Sequence, residues 1–103
     1  MTNQTNATIT AHSLTLASRV RVSPEVLLQE IGGEAVLLDT ASEQYFGLDP
    51  IGTRIWRLLD SGANLRAAHA ILLAEYDVPA DQLKRDMIAL IGQLANAGLI
   101  TIG

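Results

Sequence analysis

Val26-Leu27-Leu28-Gln29-Glu30-Ile31, Gly32-Gly33, Glu34-Ala35-Val36-Leu37-Leu38-Asp39, Thr40-Ala41-Ser42-Glu43, Gln44-Tyr45-Phe46-Gly47-Leu48 and Asp49-Pro50 follow one another without interruption. The first two apolar runs are short and joined by two glycines, which is a hairpin signal. A polar turn then leads to a five-residue piece with two adjacent aromatics, suited to a third antiparallel strand at the edge of the sheet. Asp49 is a good helix N-cap and Pro50 occupies the first helical position, where its missing N–H costs nothing. Three strands therefore hand over to a helix within two residues.

Downstream of Pro50 the period changes to that of helices. Ile51, Ile55, Leu58 and Leu59 recur at spacings of three and four until Ser61-Gly62 stops the first helix. Asn64 caps a second, which places Leu65, Ala68, His69, Leu72 and Tyr76 on one side and is broken by Asp77-Val78-Pro79. A third helix is expected over about 80–97, with Leu83, Met87, Leu90 and Leu94 as its inward stripe and Gly98 as its left-handed terminator. Leu99-Ile100-Thr101-Ile102 is a candidate last extended segment. The order predicts an α+β domain of winged-helix-like make-up, a three-stranded antiparallel sheet followed by three helices.

Upstream of the hairpin, residues 1–20 are dominated by Thr, Asn, Ser and Ala and read as a flexible polar tail, leaving 21–103 as the folded domain. Leu14-Thr15-Leu16 is the one piece of that tail apolar enough to dock. It shows no basic start and no apolar run of seven or more residues, so no export signal is expected and the cytoplasm follows by default. The longest unbroken apolar stretches, such as Ala70 to Ala74, are far too short to cross a bilayer.

Size and charge remove several function classes. At 103 residues and 11.0 kDa there is room for one domain with a small core, and a deep enclosed substrate cavity is not expected. Seven Lys plus Arg against eleven Asp plus Glu give a net charge of -4, the wrong sign for a protein that lives on phosphate backbones. With no cysteine, thiolate chemistry and thiolate metal sites are excluded. His12 and His69 have no ligand-type neighbour at helical spacing, so no metal is expected, and His69 among leucines is more simply a half-buried packing residue. No serine sits in a nucleophile elbow and no glycine run cradles phosphate, so neither catalysis nor a cofactor is expected.

Two surfaces remain after packing takes its share. On the third helix, Ile88 and Ile91 flank the inward stripe together with Lys84 and Ala95, so its apolar arc is wider than one seam requires. A central helix touching both the sheet and the first helix explains this equally well. The edge strand Gln44–Leu48 would expose unpaired N–H and C=O groups that an extended peptide can pair with, although a strand this short can also be merely blunted. Alternation sends one of Tyr45 and Phe46 to the core and leaves the other for a ligand, while Trp56 reads as core.

Taken together, Leu38-Asp39, Tyr45-Phe46-Gly47-Leu48-Asp49, Gly52, Ile55-Trp56, Leu58-Leu59 and Gly62, followed by Tyr76-Asp77-Val78, Asp86, Leu90, Leu94 and Gly98-Leu99-Ile100, resemble the PqqD-like family over residues 26–102. The resemblance implies a non-catalytic recognition element for precursor peptides that are made on the ribosome and then modified. It implies a leader segment added as a strand beside Glu43, Gln44, Tyr45, Phe46, Gly47 and Leu48. A groove beside the third helix would be walled by Lys84, Arg85, Ile88 and Ile91, with Lys84 or Arg85 facing leader carboxylates. The pattern looks more like the stand-alone recognition proteins of lasso-peptide pathways, whose partners are a cysteine protease and an ATP-dependent cyclase, than like PqqD itself, which works beside a radical SAM enzyme. A winged-helix DNA-binding regulator and a small dimerisation module are the alternatives; dispersed basic residues argue against the first.

Overall fold

A computed structural model describes residues 14–32 and 34–103 of the chain. Among these residues five strands and three helices follow in the order β1 (Val20–Val22), β2 (Val26–Ile31), β3 (Glu34–Asp39), β4 (Gln44–Leu48), α1 (Pro50–Asp60), α2 (Leu65–Glu75), α3 (Ala80–Asn96) and β5 (Ile100–Ile102). The α+β expectation holds: β2, β3 and β4 form an antiparallel sheet in that spatial order, and the three helices follow it. What periodicity did not announce is a second, two-stranded ribbon in which β1 pairs antiparallel with β5, Val20 opposite Ile102 and Val22 opposite Ile100. Three-residue strands are too short to carry a pattern, and their pairing joins the two ends of the domain.

Local chemistry sets the element ends. The β3–β4 turn is organised by Asp39, whose carboxylate accepts the Ala41 N–H at 3.0 Å and the Ser42 hydroxyl at 2.9 Å. Asp49 Oδ1 accepts the Gly52 N–H at 2.6 Å, capping α1 directly after β4. Asn64 Oδ1 does the same for α2 through Ala67 N–H at 2.8 Å. The α3 terminus is a Schellman motif: Leu99 N–H donates to Leu94 O at 2.9 Å and Gly98 N–H to Ala95 O at 3.0 Å. Gly98 takes φ 79°, a left-handed conformation that a side chain would disfavour.

The core lies between the inner sheet face and the helices. Leu37 at the centre of the sheet, Trp56 of α1, Leu72 of α2 and Met87, Ile91 and Leu94 of α3 are all buried in one cluster. Trp56 is thus structural, as expected. His69 is half-buried and its Nε2–H donates to the Ala80 carbonyl at 3.0 Å, tying α2 to the start of α3. Arg54 clasps Glu75 through two bonds of 2.9 and 2.6 Å, linking α1 to α2, and Arg57 reaches Glu30 of β2 at 2.5 Å.

Two expectations change. The inward stripe of α3 is Leu83, Met87, Ile91 and Leu94, with Leu90 only half-buried; both Leu90 and Ile91 are legal helical continuations from Met87, and packing chooses the second. The tail expected to end at residue 20 includes Leu14, which is only 5% exposed and belongs to the core, and the first residue of β1. The rest of that tail, 1–13, lies outside the described residues, as does Gly33 of the two-glycine turn.

Candidate functional site

β4 is one of the two edge strands of its sheet, β2 being the other, and among the described residues no strand pairs with its far side. Its amide and carbonyl groups on that side are a template for another extended chain. Side chains alternate along it as the pleat requires: Phe46 and Leu48 turn inward against the core, whereas Tyr45 is 65% exposed. This resolves the aromatic pair. Glu43, at the turn that delivers β4, is held at φ 62°, an uncommon conformation for a residue with a side chain.

Beside the inner side of β4 lies a cleft of about 370 Å³. Phe46, Gly47 and Leu48 of the strand form one wall, Ile51, Gly52 and Ile55 of α1 the base, and Asp86, Ala89, Leu90 and Gln93 of α3 the opposite wall. The close approach of α1 depends on Gly52, where a Cβ would stand 3.0 Å from Asp49 Oδ1, 3.3 Å from Leu48 Cδ2 and 3.5 Å from Leu90 Cδ2. Apolar side chains dominate the cleft, and its charged members are Asp49 and Asp86; no Lys or Arg lines it. Such a trough can hold apolar side chains of a strand paired to β4, and its sign favours a cationic or neutral guest over an anionic one.

The residues expected to form the site are divided by the structure. Glu43, Gln44, Tyr45, Phe46, Gly47 and Leu48 do lie at or beside the open edge. Ile91 is 0% exposed and packs in the core, so it offers nothing to a ligand. Lys84, Arg85 and Ile88 line a different cleft, shared with Leu14, Leu16 and Arg66. Ile88 and Leu90 are two residues apart, hence about 200° apart around the helix, and only Leu90 looks toward β4. The structure thus places Lys84 and Arg85 away from the β4 groove that they were expected to wall.

Sequence reasoning missed Asp86, Ala89, Leu90 and Gln93. Their spacing of three, one and three is itself a helical stripe, but one with a single large apolar member, which hydrophobic periodicity overlooks. Among the described residues there is no group of three or more His, Asp or Glu side chains placed to hold a metal. Nor is any helix among them long and apolar enough to cross a membrane.

Comparison with known proteins bears on this groove. The chain is 36% identical to TbiB1, solved in complex with the TbiA(beta) leader peptide; the match covers 78% of this chain and 93% of that one, with a TM-score of 0.71. It is 28% identical to a lasso peptide synthetase B1 complexed with the leader peptide, covering 81% and 98% with a TM-score of 0.72. No curated protein matches. The family described as Coenzyme PQQ synthesis protein D matches residues 34–100. Because that match runs from the first residue of β3 to the first of β5, and so takes in every element that walls the groove, the chain belongs to the PqqD family.

Proposed function

We propose that this protein is a non-catalytic module that binds the leader segment of a ribosomally made precursor peptide and presents it to a modifying enzyme. The leader adds as a strand to the open edge of β4, and alternate leader side chains enter the groove between β4, α1 and α3. The observation that carries this reading is the coincidence of an unpaired strand edge with an apolar trough directly beside it. Main-chain bonding along Gln44–Leu48 would set register with little regard for sequence, while the trough would select side chains by size and charge. The two solved relatives, each captured with a leader peptide, support the same choice of guest.

Nothing in this scheme requires a reacting group. A disordered leader loses conformational freedom when it binds, so part of the gross interaction is offset and release stays possible; micromolar affinity, about -8 kcal/mol, fits such a carrier. The lasso synthetase relative favours a pathway in which a cysteine protease and an ATP-dependent cyclase receive the leader, over one with a radical SAM enzyme. That work would be done in the cytoplasm.

Hydrogen–deuterium exchange tests the proposal directly. When a precursor leader peptide is added, amides of Gln44–Leu48 on the open edge should slow, while those of β2 should not. Unchanged exchange in β4 under saturating leader would reject strand addition.

A further inference from the structure

The flank of α3 that faces away from β4 carries a second cleft, of about 570 Å³. Leu14, Leu16 and Ile88 supply its apolar surface, and Arg66, Lys84 and Arg85 its charge. It continues into an adjoining cleft that shares Leu16 and Arg66 and adds Arg19. No Asp or Glu lines either one.

The distribution of cations is what makes this unusual. The chain has seven Lys plus Arg and a net charge of -4, so cations are in the minority. Arg54 and Arg57 are already held by Glu75 and Glu30. Of the remaining five, none has an ion-pair partner among the described residues, and four border this continuous strip. Asp81, one helical turn before Arg85, makes no ion pair with it. The β4 groove on the opposite flank has the reverse character, with Asp49 and Asp86 and no cation. Like charges gathered without counter-charges repel one another, and an anionic partner would relieve that repulsion.

We propose that this strip is a docking site for an acidic peptide segment of a partner protein, one that alternates carboxylates with apolar side chains. Its four cations match the carboxylates, and Leu14, Leu16 and Ile88 match the apolar residues. A small anion would use the charges but not the apolar surface or the length of the strip. The chain's own first thirteen residues contain no carboxylate and so do not fit the sign. Since the two clefts lie on opposite flanks of α3, a peptide in the β4 groove and a partner segment here could be held at once. The site consists of its own residues and does not depend on what occupies the β4 groove.

The test uses the full chain and a fluorescein-labelled peptide of repeated Glu-Glu-Leu triplets, read by fluorescence polarisation at low ionic strength, with a Lys-Lys-Leu peptide and a short DNA duplex as competing probes. Binding of the acidic peptide is expected, and Lys84→Glu combined with Arg85→Glu should weaken it about tenfold or more. Arg66→Glu alone should also weaken it, and Ile88→Ala should do so without altering charge. Leu90→Ala should leave it unchanged. Circular dichroism checks that each variant is folded, which the exposure of the three substituted cations, Arg66, Lys84 and Arg85, favours. Charge reversal without effect, or equal binding of the basic peptide, would overturn the proposal. Tighter binding of the duplex would reassign the strip to nucleic acid, and self-association lost on charge reversal would reassign it to a second copy; either result overturns the partner-peptide reading.

Discussion

Leu90→Ala should weaken leader binding nearly tenfold, and Ile88→Ala, two positions earlier on the same helix, should leave it unaltered. Leu90 is half-buried on the α3 wall of the β4 groove, against Gly52 and Leu48, and the remainder of its side chain is free to cover a guest. Truncation to Ala removes three carbons, worth about 0.8 kcal/mol each when fully buried. If about half of that surface is buried only by the leader, the loss in binding is about 1.2 kcal/mol, close to the 1.4 kcal/mol that corresponds to tenfold. Ile88 has comparable size and burial but belongs to the cationic cleft, so it serves as an internal control. Both truncations also cost the fold about 1 kcal/mol, tolerable against a typical domain stability of about 5–15 kcal/mol. Polarisation of a labelled leader, titrated with each variant at a temperature well below its melting point, gives the two dissociation constants. If Ile88→Ala loses the affinity and Leu90→Ala keeps it, the leader lies on the other flank of α3 and the groove has been assigned to the wrong side.

Three further expectations concern the framework. Leu14→Ala should destabilise the domain by about 2 kcal/mol, because Leu14 is part of the core; an unchanged urea midpoint would return residues before β1 to the status of a tail. Asp49→Ala removes the α1 cap and should lower the melting temperature by several degrees, from a loss of about 1 kcal/mol; Asp49→Asn or Asp49→Ser should recover most of it. The Arg54 guanidinium bonded to Glu75 holds that carboxyl below its ordinary range, so the pair adds stability above the ordinary carboxylate pKa and loses it as pH falls through the lowered value. Denaturation of the wild type and Glu75→Gln at pH 6 and about pH 3 should show a difference that shrinks at the acid end; an equal difference at both would deny the pair that role.

How far the chain can be read in advance differs between its parts. The β2–β3–β4 sheet and the three helices are written in short-range terms: alternating apolar runs, the Asp49-Pro50 and Asn64 starts, and the Gly62 and Gly98 stops each act within a few residues. The open edge of β4 follows from the same terms, because the chain leaves the sheet for α1 immediately after Leu48 and, among the described residues, no further strand covers it. The β1–β5 ribbon was beyond such reading, since it joins segments from opposite ends of the domain and neither is long enough to show a period.

Which flank of α3 meets β4 is a question of another kind. A helix with apolar residues at 83, 87, 88, 90, 91 and 94 offers several overlapping stripes, each compatible with 3.6 residues per turn, and no local rule ranks them. The ranking comes from packing: Ile91 is buried in the same cluster as Leu37 and Trp56, while Leu90 lines the cleft beside β4 and Ile88, with Lys84, the cleft beside Leu14. From its own residues the chain determined its elements, their order and one exposed strand edge. Close packing of the helices decided which side chains stand beside that edge, because the rotation of a helix about its axis is set by everything it touches and by nothing within it.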